Sequence, residues 1–236
     1  MKLLQLFAFT ASIASLSLCA SAQTSTVDVQ FGGLYANPIS SPTIVVSGTG
    51  VFGDDLTTGS HLYWVCLDSV QESPGNQLAI YDVSTDPSVM QAGIFGPGGF
   101  DADARGAVIQ ATTNMFYAFQ DQLLNTPGNS YNRAFQEAVW AVTYGYRVWG
   151  ESGPLTSDVI DTVMTNYAPY IEEDPLIGDF LLSALTTPTG SSTVYFGNPT
   201  NDSSLQPVMF FPIPEPSTLT LASMLGVFLI SRRRRD

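Results

Sequence analysis

The spacing of apolar residues changes twice along the chain, and these changes limit the folds that the chain can adopt. Short runs rich in Val, Ile, Tyr and Trp, bounded by Gly, Pro, Asn or Ser, are typical of strands. They occur at residues 26–31, 43–47, 62–68 and 77–83, and again at 192–196 and 208–211. Between the two sets, apolar residues recur three and four positions apart, as on helices that bury one face. The pattern predicts an α+β fold in which strands at both ends of the domain flank a helical middle.

The helical middle begins after a Gly-rich loop at residues 96–99 and contains three clear amphipathic segments. Turn-forming residues at 126–129 separate the first segment from the second, and Thr156 or Ser157 is a suitable N-cap for the third. Residues 174–185 are a weaker candidate for a fourth helix. The three predicted apolar faces are Val108, Met115, Phe116, Phe119 and Leu123; Phe135, Ala138, Val139 and Val142; and Val159, Ile160, Val163, Met164 and Tyr167.

Residues 1–22 have the form of a secretory signal peptide. Lys2 precedes a short apolar stretch, and the Ala-Ser-Ala at residues 20–22 has the small side chains that a signal peptidase accepts. The mature chain is expected to begin at Gln23. An alternative is lipoprotein processing at Cys19, which is disfavoured because the bulky Leu18 stands where that processing prefers a small residue.

A second signal occupies residues 212–236. A Pro-Glu-Pro sequence is followed by an apolar segment at residues 218–230, which is shorter than the roughly 20 residues that cross a bilayer comfortably. One interpretation is an ordinary C-terminal membrane anchor with its arginines in the cytoplasm. The order of motif, apolar helix and arginine cluster also resembles the PEP-CTERM sorting signal of Gram-negative bacteria. The matching residues are Pro214, Glu215 and Pro216, and Arg232, Arg233, Arg234 and Arg235.

The sorting resemblance concerns destination only. It implies transient contact with the membrane, recognition by an exosortase that removes the tail, and delivery to the cell surface or the extracellular matrix.

The segment between the two signals, residues 23–211, has the length of one extracellular domain and is strongly acidic. The chain has 21 Asp and Glu residues and eight Lys and Arg residues, and only Arg105, Arg133 and Arg147 of the eight lie in this segment. Binding to nucleic acid is therefore disfavoured, since phosphate contacts need a basic patch. The only lysine, Lys2, lies in the leader, so the mature domain has no side-chain amine.

Most enzyme sites are excluded by the residues that the chain contains. The single histidine, His61, cannot form a two-histidine metal site, and no G-x-S-x-G motif accompanies it. A hydrolase that uses His61 is therefore a remote alternative. Asp101 and Asp103 precede a predicted helix. Acidic side chains at this position more often interact favourably with the helix dipole than bind calcium. Residues 172–174 are expected to be a solvated acidic turn, and no cofactor or metal site is predicted.

Cys66 is the remaining unusual residue. Removal of the leader takes Cys19 with it and leaves no second cysteine with which Cys66 could form an intramolecular disulfide. In the second predicted helix, Gln136 and Trp140 lie four positions apart and so share a face. Apolar neighbours surround that glutamine, which is expected to be partly inside the domain.

The segments around Cys66 and Gln136 resemble two motifs of the thioester domains of bacterial surface adhesins. In that family, an aromatic-then-Cys-Leu-acid motif on a strand pairs with a later hydrophobic-Gln-x-x-hydrophobic-Trp motif. Here Tyr63 or Val65 precedes Cys66-Leu67-Asp68, and the second motif is FQEAVW at residues 135–140. The residue directly before the cysteine is Val65, where an aromatic residue is more usual, and the best-known members of the family are Gram-positive proteins.

The resemblance implies a thioester-domain-like fold and an internal thioester between Cys66 and Gln136. An amine on a surface protein or a polysaccharide would attack the Gln136 carbonyl and remain attached, so the protein would be an adhesin and not an enzyme. The resemblance places four residues nearby as candidates for positioning or proton transfer, namely Tyr63, Asp68, Glu137 and Trp140. The alternative is a structural or carbohydrate-binding matrix protein in which Cys66 is inert.

Overall fold

A computed structural model describes residues 25–30, 42–49, 61–67, 78–86, 102–126, 130–187, 193–200 and 208–213. Within these residues the chain forms six strands and six helices. The strands are β1 Ser25–Gln30, β2 Pro42–Thr49, β3 His61–Cys66, β4 Leu78–Ser84, β5 Tyr195–Pro199 and β6 Val208–Pro212. The helices are α1 Ala102–Ala118, α2 Gln120–Asn125, α3 Ser130–Arg147, α4 Ser157–Asn166, α5 Ala168–Glu173 and α6 Pro175–Ser183. The prediction of a mixed fold, in which strands come before and after a helical middle along the chain, is confirmed.

The six strands close into an antiparallel barrel in the order β1-β2-β3-β6-β5-β4. The last strand therefore pairs with the third: β6 runs alongside β3 over its length, from Leu62 opposite Pro212 to Cys66 opposite Val208. On the other side of β3, pairing with β2 reaches only as far as Tyr63, which lies opposite Pro42. Within the described residues, the last three residues of β3 pair with β6.

Side chains of β3 alternate between two apolar clusters, because successive strand residues point to opposite faces of a sheet. Leu62, Trp64 and Cys66 belong to a cluster formed almost entirely by strand residues, which fills the inside of the barrel. Tyr63 and Val65 belong to the larger cluster between the barrel and the helices. Both faces of β3 are therefore buried, which makes this strand the join between the two layers.

Helix α3 lies at the centre of the helical layer and contacts α1, α4, α6 and β3. Its buried side chains, including Phe135 and Val139, pack into the larger cluster as the apolar spacing predicted. The predicted N-cap of the next helix is also found, since the Thr156 side chain accepts a hydrogen bond from the N–H of Val159. These contacts fix the rotation of α3 about its axis, and with it the direction of its polar side chains.

Two details of the helical layer differ from the sequence pattern. The first apolar face is divided between α1 and α2, because the backbone of Phe119 leaves the helical conformation. Helix α5 covers part of the stretch expected to be an acidic turn: Glu172 and Glu173 end this helix, and the side chain of Asp174 caps the start of α6. Both glutamates are exposed, as expected of a solvated acidic segment.

The leader at 1–22, the Pro-Glu-Pro motif at 214–216 and the arginines at 232–235 lie outside the described residues, whereas Pro212, the first residue of the second predicted signal, ends β6. Asp68, Asp101 and the loop at 96–99 also lie outside the described residues. Among the residues that are described, no helix has both the length and the apolar character needed to cross a bilayer.

Candidate functional site

The side-chain amide of Gln136 is hydrogen-bonded to the backbone of Cys66, although the two residues are 70 positions apart. The backbone N–H of Cys66 donates to Oε1 of Gln136 at 2.8 Å. In return, Nε2 of Gln136 donates to the carbonyl oxygen of Cys66 at 2.7 Å. Both residues have no exposed surface. The structure therefore brings together, in the interior, the two residues that the sequence indicated as a reactive pair.

The local fold explains why a glutamine occupies this position. Within the described residues, the pairing of β3 with β2 extends to Tyr63, and the Gln136 amide supplies partners for the N–H and C=O of Cys66. A carboxamide carries one donor group and one acceptor on adjacent atoms, as a peptide group does. Gln136 thus pairs with the backbone of Cys66 as a peptide group would, and its buried amide is satisfied on both sides.

Trp140 lies one helical turn after Gln136 on α3. Its side chain is partly exposed and packs against the cluster inside the barrel, the cluster to which Cys66 belongs. Phe135 and Val139, on the adjoining stripe of the same helix, pack instead between the barrel and the helices. Gln136 and Trp140 therefore form the stripe of α3 that faces the end of β3.

A second hydrogen bond joins β3 to α3. The hydroxyl of Tyr63 donates to Oδ1 of Asn132 at 2.7 Å. The Tyr63 ring is fully buried, with centroids 5.1 Å from Phe116 and 6.0 Å from Phe135. Asn132 precedes Gln136 by one turn, so α3 is attached to β3 at two points that are one turn apart on the helix and three residues apart on the strand. The contact of Asn132 was not predicted from the sequence, where its spacing from Gln136 was the available signal.

Glu137, on the next face of α3, is hydrogen-bonded to a tyrosine that lies between α4 and α5. The hydroxyl of Tyr167, which caps α4, donates to Oε2 of Glu137 at 2.8 Å. Burial of the ring, and then the nearby Glu137 carboxylate, raise the pKa of the Tyr167 hydroxyl above its usual value. The described contact of Glu137 is thus with the helical layer, and it fixes α3 against the start of α5.

The described residues contain no group of three or more His, Cys, Asp or Glu side chains that could hold a metal ion. Asp103 lies in the first turn of α1, where an acidic side chain interacts favourably with the helix dipole, as expected. His61 begins β3, and its side chain lies outside the described residues.

Comparisons of the chain with protein-family models, with curated proteins and with solved structures gave no match.

Proposed function

We propose that this is an exported cell-surface or matrix protein whose domain contains an internal thioester between Cys66 and Gln136, and that it couples covalently to an amine on a partner. The observation that carries the proposal is the pair of hydrogen bonds between the Gln136 amide and the Cys66 backbone. They fix the carboxamide next to the residue that bears the thiol, in a site with no exposed surface. An amide is a poor electrophile, and only a closely held nucleophile can attack it at a useful rate.

Two features of these hydrogen bonds support that attack. Fixed placement of a nucleophile and an electrophile is equivalent to an effective concentration of about 10⁵ M or more. The N–H of Cys66 donates to the oxygen that becomes negatively charged when sulfur adds to the carbonyl, and such donors are a main source of stabilisation in acyl transfer. Sulfur bonds to Cδ, the C–N bond then breaks, and Nε2 leaves as ammonia with the proton of the thiol.

The product is a stored electrophile that burial protects from water. An incoming amine adds to the same carbon, the C–S bond breaks, and the partner stays attached to Gln136 through an amide while Cys66 regains its proton. The domain is consumed in one turnover, as expected of an adhesive bond and not of an enzyme. The absence of lysine outside the leader supports this proposal, because the domain offers no side-chain amine of its own to its reactive bond.

Export and sorting complete the proposal. The leader at residues 1–22 would direct secretion, and the signal at residues 212–236 would be recognised and removed by an exosortase at the membrane. The partner is then an amine-bearing surface protein or polysaccharide encountered at the cell surface or in the matrix.

A second candidate function is a structural or carbohydrate-binding matrix protein with an inert Cys66. It is favoured by the fact that Gln136 bonds to the backbone of Cys66, since a glutamine with a purely structural role at the end of β3 would make the same contacts. The exposed ring of Tyr170, 55% accessible and stacked on Tyr167 at 4.5 Å, is the kind of surface on which a sugar ring packs.

Labelling with methylamine separates the two candidates. The mature protein is incubated with isotopically labelled methylamine, digested, and mapped by mass spectrometry. The thioester predicts label on Gln136 alone and a thiol at Cys66 that becomes titratable as the label is incorporated. Cys66→Ala should take up none, and Gln110→Ala, which changes an exposed glutamine on α1, should be labelled like wild type. Unlabelled wild type would favour the structural candidate.

A further inference from the structure

The indole nitrogen of Trp140 is a buried hydrogen-bond donor that has no acceptor among the described residues. The ring as a whole is partly exposed, yet Nε1 is enclosed. Buried donors in folded proteins are almost always paired, because they lose their bonds to water. A donor left without an acceptor beside a proposed reactive bond is expected to have a role in a state other than the resting one.

The position of Trp140 limits what that state can be. Side chains on a helix lean towards its N-terminus, so the indole of Trp140 covers the preceding turn, where Gln136 lies. The same ring packs against the cluster inside the barrel that contains Cys66. Trp140 therefore lies between the turn of α3 that carries Gln136 and the cluster that contains Cys66, and its N–H is enclosed there.

We propose that Nε1 of Trp140 donates a hydrogen bond to Oε1 of Gln136 in the tetrahedral intermediate, as the second of two donors to that oxygen. The inference rests on the proposed thioester. In the resting amide, Oε1 accepts from the Cys66 N–H at 2.8 Å. When sulfur bonds to Cδ, the electron pair of the C=O π bond moves to Oε1, which then carries a full negative charge. A donor that is used only at this stage stabilises the transition state without stabilising the resting amide.

The same donor serves the reverse direction of the chemistry. When an amine adds to the thioester, the electron pair again moves to Oε1 before the C–S bond breaks and Cys66 leaves as the thiol. Closure of the thioester and its coupling to amines therefore pass through the same charged oxygen. Loss of the Trp140 N–H should slow both by a similar factor.

The test uses the mature protein, in which the thioester is first reopened so that its closure can be followed. Ammonium converts the thioester back to a thiol and a glutamine amide, and intact mass then follows the loss of ammonia after ammonium is removed. Trp140→Phe keeps an aromatic ring without the N–H, and it should slow closure and methylamine coupling by about 10²-fold, the usual effect of removing one such donor. Trp149→Phe, which changes a partly buried tryptophan beyond the end of α3, should react at the wild-type rate.

A second variant separates the donor from the shape of the ring. Benzothienylalanine at position 140 has sulfur in place of the N–H and nearly the same outline, so it should slow closure, methylamine coupling and hydrolysis alike, because water also adds to the thioester through a charged Oε1. A merely structural role for Trp140 would instead accelerate hydrolysis and coupling together in Trp140→Phe and leave the benzothienyl protein unchanged. Wild-type closure rates in the benzothienyl protein would overturn this inference alone. A wild-type protein that never loses ammonia would overturn the proposed function as well.

Discussion

Replacing Gln136 by methionine should destabilise the domain even where no thioester can form. The comparison is made in a Cys66→Ala background, so that the two proteins differ only in the contacts of residue 136. Cys66→Ala keeps the backbone N–H and C=O that bond to the glutamine, at 2.8 and 2.7 Å. Methionine has a side chain of similar length without the polar groups, so little cavity is created. The difference in free energy of unfolding then reports the two hydrogen bonds.

The size of the effect follows from burial. Residue 66 has no exposed surface, so water cannot replace the lost partners. Each buried backbone group left without a partner costs about 1–3 kcal/mol, so the pair should cost about 2–6 kcal/mol. That is a large part of the stability of an ordinary domain, about 5–15 kcal/mol.

Urea unfolding at neutral pH, followed by tryptophan fluorescence, measures the difference. The Cys66→Ala, Gln136→Met protein should unfold at a clearly lower urea concentration than Cys66→Ala alone, with a similar slope. Gln110→Ala in the same background is the control, because this glutamine is exposed on α1. A loss from Gln136→Met no larger than that of a surface substitution, about 0.5 kcal/mol, would refute the claim that this amide completes β3.

Two further predictions concern the helical layer that holds α3 in place. Gly145→Ala should lower the free energy of unfolding by about 1–3 kcal/mol, because the added Cβ would lie 2.7 Å from Cγ2 of Val163. In the control Gly106→Ala, the added Cβ has nothing within 4 Å, so the free energy of unfolding should rise by about 0.5–1 kcal/mol. Urea unfolding measures both. Tyr167 has a pKa raised above the usual 10.0, so its neutral form stabilises the fold below that pH, and this stability is lost as the pH rises above it. In a Cys66→Ala background, stability between pH 9 and about 11 should therefore fall more steeply with Tyr167 than with Tyr167→Phe, and equal slopes would contradict the burial of this hydroxyl beside Glu137.

Strands and long helices were predictable where local sequence determines them. The apolar stripe of α3 and the Thr156 cap of α4 are signals within a few residues, and both are found in the structure. Helix α5 was missed because it is six residues long and buries none of them, so it has no apolar period. Closure of the barrel depends on pairing between β3 and β6, which lie far apart in the chain, and no local pattern encodes that register.

In the site, too, some features follow from local sequence and others from long-range contacts. Motif resemblance was sufficient to select Cys66 and Gln136, and the structure places them in contact. It did not indicate that the glutamine would bond to the backbone of Cys66, because that depends on how α3 packs against β3, which no local pattern encodes. The role of Asn132 depends on the direction of the Tyr63 hydroxyl, which is set by packing against the helices.

The intact mass of the freshly purified mature domain tests the central claim most directly. An internal bond between Cys66 and Gln136 forms with loss of ammonia, so the measured mass should be lower than the sequence mass by one ammonia. The Cys66→Ala and Gln136→Met proteins should each have their full sequence mass, and the wild-type thiol should be titratable only after treatment with an amine. A wild-type protein that has its full sequence mass and a thiol that reacts completely after unfolding, without any amine treatment, would contradict the account.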